Sequence, residues 1–132
     1  MNRTIKFRAK RKDSGEWVYG YLWCTPTDCN IFLYGSEWSI LQDSFEVLPE
    51  TVGQFTGLYD KNGKEIYEGD MVLFEITGVG NGKEEVAFEN GSFVIHNEQM
   101  GNLSFMEIDG KRYKIIEIIG NIHDNPNLIA KQ

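Results

Sequence analysis

TVGQFTGLYDKNGKEIYEGDMVLF, residues Thr51 to Phe74, sets two sharp reversals between short apolar runs. Val52, Phe55 and Leu58 lead into Asp60-Lys61-Asn62-Gly63, where an aspartate can accept hydrogen bonds from the turn backbone and Asn or Gly adopts positive φ at little steric cost. Ile66 and Tyr67 resume a strand, and Glu68-Gly69-Asp70 bends the chain again. Met71-Val72-Leu73-Phe74 is an apolar run of buried-strand length. The stretch reads as a hairpin entering a small barrel, with Asp70 bracing its bend through local backbone. It specifies a shape and no reaction.

The flanking sequence repeats this style. Ile5, Phe7 and Ala9 alternate with Lys6, Arg8 and Lys10, which predicts a first strand over Thr4 to Ala9 with one apolar and one cationic face. Asp13-Ser14-Gly15 turns the chain into Trp17 to Trp23, a strand that places Trp17, Tyr19, Tyr21 and Trp23 on one face. Cys24 to Asn30 reads as a polar loop and Ile31 to Tyr34 as a third strand. Trp38 to Phe45 reads as irregular structure leading into a short strand before Pro49. Thr77 to Gly82 reads as a mobile glycine-dense loop. Asn90-Gly91 predicts a type I′ turn that pairs Phe88 with Phe93, puts Val86 and Ile95 on the same face, and buries the two phenylalanines together. Past a polar His96 to Gly101, Leu103 and Phe105 offer a weaker strand. Asp109-Gly110 turns into the isoleucine-rich Tyr113 to Ile119, a buried strand, and Asn125-Pro126 starts a short terminal helical turn. Roughly nine short strands with frequent turns mean an all-β protein of short antiparallel strands. The expected division is an N-terminal β-region over residues 1–49 and a barrel region over 50–132.

Composition bounds the class. The chain has 132 residues, 41% apolar, 13% aromatic and 25% charged, a globular profile long enough to bury a core without metal or disulfide. No stretch approaches the roughly 20 apolar residues of a spanning helix, and the basic start carries no apolar segment behind it. The expectation is a soluble cytoplasmic protein with no membrane partner. The net charge of −7 is unevenly spread, because Arg3, Lys6, Arg8, Lys10, Arg11 and Lys12 all precede the first acidic residue, Asp13. A basic edge on an acidic body reads either as a solvated strand face whose lysines discourage aggregation or as a surface for acidic partners. Among those are a nucleic-acid backbone and the acidic face of a second copy.

Few catalytic arrangements survive inspection. Cys24, Cys29, His96 and His123 would make a four-ligand zinc site by count. The histidines stand too far apart for zinc-finger spacing, and neither metal nor cofactor is expected. The cysteines are expected as free thiols. No nucleophile elbow occurs. Gly78-Val79-Gly80-Asn81-Gly82-Lys83 departs from a phosphate loop, with Thr77 in place of the first glycine and Glu84 in place of the Mg²⁺-binding hydroxyl. The expectation is a protein that is not an enzyme. The candidate binding residues are Lys6, Arg8, Lys10, Arg11, Lys12, Trp17, Tyr19 and Trp23. Their aromatic members are expected in core or subunit packing, with base stacking as the alternative.

Four segments, IKFRAKRKDSGEWVYGYL, TVGQFTGLYDKNGKEIYEGDMVLF, VAFENGSFVI and IIGNIHDNPNLI, together resemble the YopX family of small phage and prophage proteins. The most specific part runs through Gly53, Gln54, Thr56, Gly57, Asp60, Asn62, Gly63, Ile66, Tyr67, Glu68, Gly69 and Asp70; the tail motif Gly120 to Pro126 is second. Lys10 stands where the family often has an aromatic residue. The resemblance implies an SH3-like small barrel in the C-terminal half with β-structure before it, and supplies no catalytic residues. Two functions follow as expectations: a non-enzymatic phage accessory module that binds protein, copies of itself included, or a nucleic-acid-associated module using the basic strand.

Overall fold

Turn-rich, β-branched and aromatic sequence folds here into strands, and among the described residues the one helical element is a 3₁₀ turn at Pro49–Thr51. The computed structural model describes residues 4–33, 44–76, 78–95, 103–104 and 113–125. The described residues form two antiparallel sheets and divide into two compact units, 1–57 and 58–132.

The first unit holds β1 (Phe7–Lys10), β2 (Trp17–Cys24), β3 (Cys29–Leu33), β4 (Ser44–Val47) and most of β5 (Gly53–Tyr59). Their order is β4-β3-β2-β1-β5. The expected β1–β2 hairpin forms, with Arg8 opposite Tyr19 and Lys10 opposite Trp17. Its turn is held by the Gly15 N–H donating to Arg11 O at 2.9 Å, with Gly15 at φ +75°. Beyond β1 the chain also meets β4: the Lys12 N–H donates to Glu46 O and the Leu48 N–H to Lys10 O, both at 2.9 Å. The sheet therefore rolls around a core of Ala9, Val18, Ile31 and Val47, with Phe7, Leu22, Leu33, Phe45 and Val52 packed against it. Thr51 fastens the roll. Its hydroxyl donates to Leu48 O at 2.7 Å and accepts the Lys10 N–H at 2.9 Å.

Two expectations about β1 need correction. It is not an edge, since it lies between β2 and β5. Its cationic face is not uniformly solvated either, because Arg8 is only 7% exposed. A strand with hydrogen-bonded neighbours on both sides offers a long side chain ring faces to lie on, and Arg8 lies on one.

The second unit contains β6 (Glu65–Tyr67), β7 (Asp70–Ile76), β8 (Gly80–Glu89), β9 (Ser92–Ile95), β10 (Leu103–Ser104) and β11 (Tyr113–Asn121). β6 follows β5 as its hairpin partner, and the rest order as β10-β9-β8-β7-β11. Register shifts in β11 between Ile115 and Glu117 and between Ile118 and Gly120 mark bulges, which raise local twist. This sheet is curled into a half-barrel. Its core is Ile66, Val72, Phe74, Ile76, Val86 and Ile95, covered by Leu58, Ile115 and Ile118.

Both reversals of the deciding stretch form as their chemistry requires. The Asp60 carboxylate accepts the Asn62 and Lys64 N–H groups at 2.9 Å, and Gly63 sits at φ +79°. At the second bend the Tyr67 N–H donates to Asp70 Oδ2 at 2.7 Å. The glycine-dense loop shrinks to a turn at residues 78–79, because β8 already begins at Gly80 and pairs with β7. No helix follows it, as a phosphate loop would require. The terminal helical turn from Pro126 and the loops around His96 to Gly101 and Asp109-Gly110 lie outside the described residues.

The Asn90-Gly91 turn has both residues at positive φ, 52° and 83°, and sets Phe88 opposite Phe93 with ring centroids 5.1 Å apart. The shared burial expected of that pair fails, for Phe88 is 48% exposed. β8 pairs with β7 only as far as Glu85, so the hairpin tip pairs with β9 alone and projects past the core. Phe88→Ala should therefore cost under about 1 kcal/mol, far below a core phenylalanine. Gly91→Val, forced into a region nearly closed to β-branched residues, should cost about 1–3 kcal/mol. Chemical denaturation of the two variants checks this ranking.

Candidate binding face

Strand alternation divides the first sheet's residues between two faces. One carries the core just described. The other collects Lys6, Arg8 and Lys10 from β1 and its approach, Trp17, Tyr19, Tyr21 and Trp23 from β2, and Phe32 from β3, with Tyr21 opposite Phe32. Tyr19, Tyr21 and Trp23 are 43, 48 and 58% exposed, so these rings are not part of this chain's core. Trp23 stacks on Phe32 with centroids 6.3 Å apart and planes inclined by 24°.

The cations sit among the rings. Arg8 Cζ lies 4.6 Å and Lys10 Nζ 5.5 Å from the Trp17 centroid, while Lys6 Nζ lies 5.6 Å from that of Phe55. Each position is within cation–π range, and such contacts hold the charges beside the aromatic row.

The remaining two basic candidates are diverted. Arg11 donates through Nε and Nη2 to the two carboxylate oxygens of Asp13, at 2.9 and 2.7 Å. That hydrogen bonding holds the Asp13 carboxyl below its ordinary range and raises the Arg11 guanidinium. Arg11 also lies over Phe45, 4.1 Å from its centroid. Lys12 pairs with Glu46 at 3.2 Å. A shallow depression of about 310 Å³ beside them is lined by Lys12, Asp13, Ser44, Phe45 and Glu46, where opposite charges meet locally.

Of the eight candidates, the structure thus gathers Lys6, Arg8, Lys10, Trp17, Tyr19 and Trp23 and turns Arg11 and Lys12 to internal pairs. Tyr21, Phe32 and Phe55 complete the face and were not among the candidates. Tyr21 was legible from the alternation along β2. Phe32 and Phe55 were not, because only the register of β3 and β5 brings them across.

Cys24 and Cys29 are joined in a disulfide, which overturns the expectation of free thiols. The cause is register: β2 and β3 set the two residues directly opposite each other, with Cα atoms 4.1 Å apart. Both sulfurs are thereby used within the hairpin. Among the described residues no group of three or more His, Cys, Asp or Glu side chains is placed to hold a metal ion. His123 lies in the turn after β11, where its N–H donates to Asn121 Oδ1 at 2.9 Å; His96 lies outside the described residues.

Sheets of short strands with bulged, turn-bound junctions define a small all-β protein, and the deciding stretch supplies the two best-formed of those turns. Within that class the chain belongs to the YopX protein family, whose model matches residues 6–130. No curated protein matches the chain.

Proposed function

We propose that this YopX-family chain acts by binding rather than by catalysis, as a phage or prophage accessory module working in the host cytoplasm. Its contact surface is the outer face of the first sheet. The observation that carries this reading is the row Tyr19, Tyr21 and Trp23, three large aromatic side chains left about half exposed on one strand face. Burying such rings is favourable, and aromatic residues are enriched where macromolecules meet. The curled second sheet supports the SH3-like barrel that the family resemblance implies, here a scaffold rather than the contact surface.

The uneven charge supports a second reading, in which the module also self-associates. The cations gathered on the outer face, Lys6 and Lys10 among them, would meet acidic surface of another copy, the rest of the chain being strongly acidic. Exposed charges are screened over about 10 Å at 0.1 M salt. Light scattering should then show an oligomer at low salt that dissociates as salt rises. A monomer at low salt removes self-association and leaves the binding face to a different partner.

The main reading is tested by purifying wild type and a Tyr21→Ser/Trp23→Ser variant from phage-bearing cells and comparing what co-purifies, protein or nuclease-sensitive. Half-exposed residues contribute little to the fold, so the variant should lose under about 2 kcal/mol of stability and keep its circular dichroism. It should lose the bound macromolecule. Equal recovery with wild type and variant overturns the assignment of this face.

A further inference from the structure

Resting on the reading of this face as the contact surface, we propose that its occupant is a single-stranded nucleic acid. Bases stack on Tyr19, Tyr21 and Trp23, and the phosphate backbone follows Lys6 and Lys10.

The first argument is spacing. Alternate residues of a strand repeat every ~6.6–6.8 Å along its axis, about twice the ~3.4 Å per nucleotide of a stacked strand. Rings at that repeat suit an extended, unstacked strand whose bases are separated and can each meet a π-face. A duplex keeps its bases stacked inside and offers these rings no face to meet.

The second argument is the layout of charge. β1 pairs with β2 with Arg8 opposite Tyr19, so a row of cations runs beside the row of rings, one strand spacing or ~4.8 Å away. A polyanion with bases on one side of its backbone presents the matching pair of rows. The face is a line of rings with a line of cations, not a broad aliphatic patch; among its described β1 and β2 residues there is no Leu, Ile or Val. A linear ligand fits this better than the apolar centre of a protein interface.

The third argument is what the charge excludes. Arg11 and Lys12 are engaged by Asp13 and Glu46, and the chain is acidic overall at −7. An acidic body of this kind disfavours general adhesion to duplex DNA through a broad basic surface. Arg8, mostly buried, holds Trp17 in place more than it reaches phosphate.

Fluorescence anisotropy of the full chain with labelled oligo(dT) and oligo(rU) of about 15 nucleotides, a duplex of equal length, and heparin tests the proposal. The titrations run from about 50 to about 200 mM salt. Single strands should bind at least about tenfold tighter than the duplex, with preference for dT or rU telling DNA from RNA. Each of Tyr21→Ser and Trp23→Ser should weaken binding on the order of tenfold, and Trp23→Phe should restore most of the loss. Two phosphate contacts give a log–log salt slope of about −1.4, and Lys6→Gln or Lys10→Gln should each reduce its magnitude by about 0.7.

Circular dichroism and melting of every variant separate loss of binding from loss of fold. Binding of duplex and heparin as tight as single strands, or binding indifferent to the ring substitutions, overturns the proposal. If no strand binds but light scattering shows an oligomer that dissociates in the Tyr21→Ser/Trp23→Ser variant, the nucleic acid assignment falls while the contact face stands. If neither binding nor self-association responds to the ring substitutions, both fall.

Discussion

Asp60→Ala is expected to cost about 3 kcal/mol or more, among the largest losses available from one polar residue in this chain. Asp60 is buried, and its carboxylate does three jobs at once. Oδ1 accepts the Asn62 and Lys64 N–H groups, closing the turn, while Oδ2 accepts the Ile118 N–H at 3.1 Å from 58 residues away. Hydrogen bonds to a charged acceptor contribute about 1.5–3 kcal/mol each, and removing the acceptor strands donors in a partly buried place. The three bonds share one carboxylate, so their contributions do not add in full. Urea denaturation gives the loss, and hydrogen exchange should show the Ile118 amide among those most deprotected.

The same residue sets a pH dependence. Burial alone pushes the Asp60 carboxyl up, but the N–H groups of Lys64, Ile118 and Asn62, with the Lys64 charge, outweigh it and hold the group below its ordinary value. A carboxylate depressed on folding stabilises the protein fully above its unfolded value of about 3.9 and progressively loses that contribution as pH falls through the folded value. Stability should be insensitive to this group above about pH 5 and decline below about pH 4. In Asp60→Asn that acid-limb contribution should be absent.

The second large effect belongs to Phe74, 1% exposed at the centre of the second unit's core. Phe74→Ala should cost about 3–5 kcal/mol through lost burial and the cavity left behind. Its ring also explains a glycine. Gly82 lies directly opposite in the β7–β8 ladder, and a Cβ there would stand 2.9 Å from Phe74 Cε1 and Cζ. Gly82→Ala should cost about 1–3 kcal/mol by overpacking. In a Phe74→Leu background, where those ring atoms are gone, the alanine should cost distinctly less. Denaturation of the two single variants and the double variant measures the coupling, and strictly additive losses would mean that the ring simply moves aside.

What the sequence made legible was local. The Asp60 and Asp70 turns, the Asn90-Gly91 hairpin and the alternation of Trp17 to Trp23 each depend on residues within a few positions of one another, and each formed. Apart from the Cys24–Cys29 bond, whose partners are five positions apart, the failures turn on distant partners. Whether β1 is an edge depends on Gly53 and Gln54 pairing with Arg8 and Phe7. Whether Phe88 is buried depends on how far β7 extends beside β8, which the turn does not encode. Whether Gly82 belongs to a loop or a strand depends on Phe74 filling the space its missing side chain leaves. The candidate face was half legible for the same reason: alternation aligns residues along one strand, while register decides which neighbouring strand's residues join them.

The hairpin that carries Trp23 also carries the Cys24–Cys29 bond. The two cysteines are five positions apart, and closing so short a loop restricts the unfolded chain by only about 2 kcal/mol on a chain-entropy estimate. Domains that owe their fold to disulfides are usually small ones with insufficient cores, whereas here the first unit has Ala9, Val18, Ile31 and Val47 packed beneath the sheet. In a reducing compartment the bond would open and the ladder from Gly20 to Trp23 against β3 would still align the rings. The aromatic row is therefore built to outlast a change of redox surroundings.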